Sequence, residues 1–169
     1  GFALVFDHLA ELGHRRIAFV GHASSHYPEF EQRYRGHVEA MQARGLTAEP
    51  SLQHDAITTE QSGFDACQAL LARGERIDGL CAASDLIAIG AMRALREHGL
   101  RVPEDVAVTG FDDIPLAASV SPPLSTVQQD TKQAGHLLVE KLLALIDGQP
   151  VEGQSIAVKQ VLRDSSLRR

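Results

Sequence analysis

Tryptophan is absent from the 169 residues, aromatic residues make up only 5% of them, and there are just two cysteines. Two cysteines cannot form the disulfide framework of a small secreted domain. Cys67 and Cys81 both lie among apolar residues, which is typical of buried free thiols in a reducing compartment. A chain of this length buries roughly 70% of the surface that its unfolded form exposes. We therefore expect one globular domain that needs no disulfide, structural metal or cofactor.

The sequence also lacks a long apolar run and a leader peptide. No stretch approaches the roughly 18 apolar residues of a membrane span. The start, Gly1-Phe2-Ala3-Leu4, has neither a charged segment nor a cleavage site for export. We accordingly expect no membrane partner and a cytoplasmic protein. Because the chain does not begin with methionine, we also expect it to be a piece of a longer protein.

Positively charged residues are fewer than negatively charged ones. The chain carries 16 Lys and Arg against 22 Asp and Glu, a formal net charge of -6. Affinity for nucleic acid comes from neutralising phosphates with Lys and Arg, which is the opposite balance. The basic pairs Arg15-Arg16 and Arg168-Arg169 are interpreted as solvated surface and a frayed end. This chain is therefore not expected to bind DNA by itself.

Segments with helical spacing of apolar residues alternate with short continuous apolar runs. Helices are predicted over about 3–12, 30–41, 60–71 and 86–98, and strands over 17–20, 52–57, 78–83 and 106–110. Thr58 and Gln61 resemble a capping box, and Ser84-Asp85 an N-cap. Continuous apolar strands that alternate with helices belong to parallel sheets covered on both faces. The predicted fold class is α/β, an open parallel sheet with helices on both faces.

The pattern changes after Phe111. A proline-containing irregular stretch leads to an extended segment near 125–128, a helix over 131–147 with Asp130 as its cap, and a last strand over 155–162. The helix carries an apolar stripe of Leu137, Leu138, Leu142 and Ile146. Such a stripe needs a partner. We expect it to fold back on its own domain or to pack against a second copy of the chain.

The candidate site follows from the predicted sheet, because ligands of open parallel sheets bind at the carboxyl ends of the strands. The loops there, near 21–31, 56–59, 83–85 and 110–113, are rich in Ser, Thr, Asp and His, and Arg33 follows the first of them. Carboxylates and guanidinium groups each make two hydrogen bonds in a fixed plane. Asp112 and Arg33 could thus hold neighbouring hydroxyls of a sugar or a related polyol.

Five ordered motifs resemble the LacI/GalR family of bacterial transcription regulators, in the part that binds effector. They are LGHRRIAFVG (12–21), QRYRG (32–36), ASDLIAIGA (83–91), VPEDVAVTGFDD (102–113) and SPPLSTV (121–127). The similarity spans roughly residues 3–164. Several motifs in order at the right separations are far more specific than any single one.

The resemblance implies a two-lobed, periplasmic-binding-protein-like core of type I preceded by a helix-turn-helix head. Residues 1–127 would form the C-terminal lobe, 128–148 a crossover and a helix that packs in the N-terminal lobe, and 149–169 a returning strand and tail. The whole protein would be a homodimer that senses a small effector, a sugar or polyol, and binds DNA only through the head.

Six positions of this chain match effector-contacting positions of the family or adjoin them. Arg33 matches an effector-binding arginine, Asp112 an aspartate that accepts ligand hydroxyls, and Gln129 a polar residue at the crossover. Asp85 is interpreted first as a helix cap and second as a ligand contact. Two positions depart from the family: Ser84 stands where many members have asparagine, and Thr58 where sugar-binding members often have an aromatic residue.

Some polar residues of these loops also have a purely structural interpretation or an enzymatic one. Arg33 could pair with Glu29 on a helix surface, and Asp112-Asp113 could only turn the backbone. His22 and His26 have loop spacing compatible with a metal but lack a third ligand, and Ser24 and Ser25 lack the glycines of a hydrolase elbow. We therefore expect no catalytic and no metal site. A solute-binding protein of a sugar transporter remains the alternative function.

Overall fold

A computed structural model describes residues 1–22 and 28–167 as an α/β fold. The helices are α1 (Phe2–Glu11), α2 (Pro28–Ala43), α3 (Glu60–Ala72), α4 (Asp85–Glu97) and α5 (Thr131–Ile146). The strands are β1 (Ile17–Val20), β2 (Gln53–His54), β3 (Gly79–Ala82), β4 (Ala107–Thr109), β5 (Thr126–Gln129) and β6 (Val158–Val161). Short 3-10 turns precede β2 and follow β4.

Four strands form one parallel sheet in the order β2-β1-β3-β4. Strands β1 and β3 are neighbours in register, with Phe19 opposite Cys81, and both are completely buried. Helix α1 packs with α2, and α3 packs with α4. The predicted fold class is therefore confirmed, including the burial that continuous apolar strands indicate.

Most predicted element ends agree with the structure. Gly13, Gly45 and Gly99 follow their helices with positive φ, as glycine at a helix end permits. The Ser84 side chain caps α4 by accepting from the Ile87 N–H at 3.4 Å. The capping box at Thr58 and Gln61 is wrong by one residue. The cap of α3 is Thr59, which accepts from the Ser62 N–H at 3.1 Å, so Thr58 stays outside the helix and is exposed.

Helices α3 and α4 approach each other closely through glycines. A methyl group at Gly63 would collide with the backbone of Ile87, and one at Gly90 would collide with the backbone of Glu60 and Phe64. We expect Gly90→Ala to lower the free energy of unfolding by about 1–3 kcal/mol, because the backbone of the other helix must move away.

Gly135→Ala is the matched control, since Gly135 lies inside α5 with no neighbouring atom within 4 Å. That substitution should raise stability by up to about 1 kcal/mol through helix propensity alone. Urea denaturation followed by circular dichroism compares the two variants. Equal effects of the two alanine substitutions on the free energy of unfolding would contradict the close approach of α3 and α4.

Strand β5 connects the main sheet to a second, antiparallel pair. Strand β5 pairs with β6, and its backbone also bridges the segment after β4, where the Asp112 N–H donates to the Val127 carbonyl at 2.9 Å. The expected boundary at residue 127 falls inside β5, which continues through Gln129. The segment after β4 and the crossover strand thus form one hydrogen-bonded unit.

Helix α5 leaves its apolar side uncovered in this chain. None of its residues is buried, and Leu138 and Ile146 are 69% and 70% exposed. The expectation that it folds back on its own domain is therefore wrong, because a helix packed on that domain would bury part of its apolar stripe and this one buries none of its residues. Packing against a second copy stays a prediction. In the described residues we find no helix that is long and apolar enough to cross a membrane.

Candidate functional site

The candidate site lies where the connections after two neighbouring strands diverge. The chain leaves β1 towards α2 and the outer strand β2, whereas it leaves β3 towards α4 and the opposite edge, β4. Such a switch point opens a crevice at the carboxyl ends of the two strands. Arg33, in the second turn of α2, reaches across this crevice and donates through Nη1 to the Ala83 carbonyl just after β3.

Aromatic rings hold the Arg33 guanidinium in place. Its Cζ atom lies 4.2 Å from the centre of the Phe111 ring and 5.1 Å from that of Phe30. The side chain is only 16% exposed. Stacking on aromatic faces suits the planar guanidinium group and fixes its direction. Arg33 is therefore a half-buried group of the crevice and not a free residue of the helix surface.

Asp112 and Gln129 complete a cluster around Arg33. Gln129 donates through Nε2 to Asp112 Oδ1 at 2.7 Å, and Arg33 Nη2 lies 3.4 Å from the same oxygen. A carboxylate can accept several more hydrogen bonds through its other oxygen. Arg33 and Gln129 also line an open cleft of about 400 Å³. The three residues that the sequence placed together are thus adjacent, although they lie up to 96 positions apart.

Burial disfavours the charged forms of both Arg33 and Asp112. It lowers the pKa of Arg33, which nearby Asp112 raises only in part. It also raises the pKa of the Asp112 carboxyl, against the opposing effects of Arg33 and of the Gln129 hydrogen bond. Charge-assisted hydrogen bonds are normally about 2.7–2.9 Å long, so a separation of 3.4 Å is loose. Hydroxyl groups of a ligand can satisfy both side chains here.

Asp85 faces the protein interior and not the cleft. It is fully buried, with Oδ2 accepting from the Ile114 N–H at 2.8 Å and Oδ1 accepting from the Thr126 hydroxyl. Burial raises its pKa to about 6. The cap role expected for Asp85 belongs to Ser84, which is itself fully buried. Ser84 and Asp85 therefore hold the loops of the site in place from the protein interior in this structure.

Thr58 lies beside a different, smaller cleft. That cleft has a volume of about 240 Å³ and is lined by Thr58 together with His22, Phe30, Ala56 and Ile57. The Phe30 ring therefore contacts the Arg33 guanidinium and also borders the cleft of Thr58. Thr58 is not brought into contact with Arg33, Asp112 or Gln129.

Sequence reasoning overlooked the aromatic side of the site. Thr58 stands where sugar-binding members of the family often have an aromatic residue, yet two aromatic rings, Phe30 and Phe111, flank Arg33. Phe111 directly precedes Asp112, so its place in the loop just after β4 is the signal that could have identified it. His26, Ser24 and Ser25 lie outside the described residues. Within those that are described, no cluster of three or more metal-ligating side chains occurs.

Comparison with known families identifies the domain. The family of periplasmic binding protein-like domains matches residues 6–166. The regulator CelR of Thermobifida fusca is 39% identical over 85% of this chain, a match that spans 42% of CelR. The chain thus covers less than half the length of that relative. The relatives are transcriptional regulators, not enzymes.

Solved structures of similar regulators have the same fold. A complex of CelR with cellobiose superposes with a TM-score of 0.93 at 34% identity and covers 98% of this chain and 51% of CelR. A lac repressor dimer bound to operator and the anti-inducer ONPF superposes with a TM-score of 0.91 at 34% identity, covering 99% of this chain and 58% of the repressor. By these matches, the chain belongs to the LacI family of transcription regulators, as part of its periplasmic-binding-protein-like effector-binding domain.

Proposed function

We propose that this chain is the C-terminal lobe of an effector sensor that binds a neutral, polyhydroxylated molecule through Arg33, Asp112 and Gln129. The loose 3.4 Å contact between Arg33 and Asp112 carries this proposal. Two half-buried charged groups at that separation are satisfied by hydroxyls that donate to the carboxylate and accept from the guanidinium group. Cellobiose, which CelR binds, is a ligand of this kind.

A neutral effector fits the charges of the site. Arg33 is paired with Asp112, and Glu29 and Asp85 add negative potential to it. An anionic effector would need an uncompensated cation, which this cluster does not offer. The remaining candidate contacts, Ser84, Asp85 and Thr58, serve as positioning residues or border the neighbouring cleft.

A comparison of neutral and anionic sugars tests the ligand class. The labelled chain is titrated with glucose, galactose and cellobiose, and with the phosphate esters of the two monosaccharides, while NMR shifts are recorded. We expect the neutral sugars to bind with dissociation constants in the millimolar range or weaker, because only one lobe contributes contacts. Tighter binding of the phosphate esters would contradict the proposed class.

The whole protein would be a cytoplasmic homodimer whose DNA-binding head precedes this chain. Effector binding closes two lobes and shifts the population of dimers that can bind operator, with a coupling free energy of typically about 1–3 kcal/mol. The lac repressor dimer bound to operator supports this arrangement by analogy. The net charge of -6 on this chain supports placing the DNA contacts in another part of the protein.

In that protein, the N-terminal lobe would cover the apolar side of α5. Full burial of one leucine contributes roughly 1.5–3 kcal/mol, and Leu138, Leu142 and Ile146 are all exposed here. We therefore expect amide hydrogens of α5 to exchange much faster in this chain than in the longer protein.

Hydrogen exchange measured by mass spectrometry on both proteins checks this expectation. Helix α4, most of whose side chains face the core, is the internal control and should be protected in both. Equal protection of α5 in the two proteins, with the isolated chain shown to be monomeric, would contradict an interlobe role for this helix.

A further inference from the structure

The backbone that places Asp112 beside Arg33 and Gln129 adopts an unusual conformation. Asp112 has φ 115° and Asp113 has φ 55°, and both lie in the left-handed region, which favours glycine. Two such residues in succession persist only where the surroundings hold them in place. The contacts of this turn therefore decide where the Asp112 carboxylate points.

Asp113 is held from the side opposite to Asp112. Its Oδ1 atom accepts from Arg163 Nη2 at 2.7 Å, and its Oδ2 atom accepts from Gln128 Nε2 at 2.8 Å. Asp112 is held by the next residue of the same strand, Gln129. Consecutive strand residues point to opposite faces, so Asp112 and Asp113 accept hydrogen bonds from opposite faces of β5.

Arg163 is itself fixed firmly enough to act as an anchor. Its Nη1 atom donates to the Leu124 carbonyl at 2.7 Å, and its backbone N–H donates to Ser125 Oγ at 2.8 Å. The Arg163 and Asp113 side chains are only 20% and 10% exposed. A pair with this geometry and burial differs from the exposed ion pairs whose contribution is usually negligible.

We propose that Arg163 is a positioning residue for the effector site: its ion pair with Asp113 holds the left-handed turn that directs Asp112 towards Arg33 and Gln129. Arg163 follows β6, the strand that returns from the end of α5. The site is thereby tied to both crossover strands, and a shift of β6 would move the Asp112 carboxylate. This inference rests on the proposed role of Asp112 in ligand binding, but its geometry is testable without any ligand.

Variants of Arg163 are compared by NMR in the ligand-free chain. The side-chain amide of Gln129 reports the hydrogen bond to Asp112, and Asp112→Ala gives the shift of that amide when the bond is lost. We expect Arg163→Gln to move the Gln129 signal by at least half of that shift, and the Arg33 guanidinium protons to exchange with water several-fold faster. Arg163→Lys, which keeps the charge, should restore both signals in part.

Arg101→Gln is the control, because Arg101 makes an ion pair with Asp105 that has similar distances but lies away from the site. It should leave the Gln129 and Arg33 signals unchanged. If Arg163→Gln does not fold, Asp113→Asn weakens the same pair with little change in shape and should give the same shifts. A folded variant lacking this ion pair, with Gln129 and Arg33 signals as in the parent chain, would overturn the proposal. That outcome is independent of which sugar binds.

Discussion

Asp85→Ala should lower the free energy of unfolding by about 2–6 kcal/mol at pH 5. The substitution leaves the half-buried Ile114 N–H and the fully buried Thr126 hydroxyl without their partner. An unsatisfied buried group costs about 1–3 kcal/mol, and this substitution removes the hydrogen-bond partner of two such groups. The turn before Ile114 also carries Asp112, so ligand binding should weaken together with stability.

Asp85→Asn separates the shape of this side chain from its charge. Burial raises the pKa of Asp85 to about 6 in the folded protein, against 3.8 for the ordinary group. Between these values the folded state holds a proton that the unfolded state has released, so stability falls as the pH rises. A difference of about two pH units corresponds to roughly 3 kcal/mol over the whole window, of which about half, roughly 1.4 kcal/mol, is lost above pH 5. Asparagine does not ionise and avoids this loss.

Urea denaturation of the parent chain and both variants at pH 5 and pH 8 measures these effects. Relative to the parent chain, Asp85→Asn should gain stability from pH 5 to pH 8, and the deficit of Asp85→Ala should shrink. Comparing variants isolates Asp85, since the lowered pKa values of His8 and His37 give a pH dependence of opposite sign. If the free energies of unfolding of Asp85→Asn and the parent chain differ by the same amount at both pH values, Asp85 does not titrate as described.

Asp112→Ala and Arg33→Ala should each weaken effector binding by the longer protein roughly 10- to 150-fold. Losing a hydrogen bond to a charged group in a closed site costs about 1.5–3 kcal/mol, and every 1.4 kcal/mol is a factor of ten. Each substitution also leaves the other charge of the pair without its partner. The two losses should therefore be non-additive in the double variant.

Arg35→Ala is the control for Arg33→Ala. Arg35 lies two residues further along α2, is 70% exposed and pairs only loosely with Glu39 at 3.6 Å. Calorimetric titration of the longer protein with its effector compares these variants, and Arg35→Ala should change affinity less than twofold. Similar losses from both arginine substitutions would mean that α2 contributes through its general charge and not through the Arg33 contact.

Local sequence signals predicted the elements well where the structure depends on nearby residues. The continuous apolar strands, the glycines that end helices and the Ser84 cap all follow from a few adjacent positions. The meeting of Arg33 with Asp112 could also be predicted, because parallel strands bring their carboxyl ends to one edge of the sheet. The error of one residue at Thr58 reflects two successive threonines, either of which can cap a helix.

The contacts that hold Asp85 and Asp113 in place could not be predicted, because they join distant parts of the chain. Asp85 finds its partners 29 and 41 positions away, and Arg163 meets Asp113 across 50 positions. A carboxylate in a βα loop has the same local sequence whether it faces a ligand or the interior. The uncovered side of α5 is visible in the sequence as an apolar stripe, but its partner is not encoded nearby.

Mapping of a bound neutral sugar on this chain tests the location of the effector site most directly. With cellobiose, or whichever neutral sugar binds most tightly, we predict that the largest NMR shifts occur at Arg33, Phe111, Asp112 and Gln129, and that Asp112→Ala removes them. Shifts centred instead on the cleft at the far end of α4, lined by Met92, Arg96 and Leu100, and unaffected by Asp112→Ala, would contradict this location.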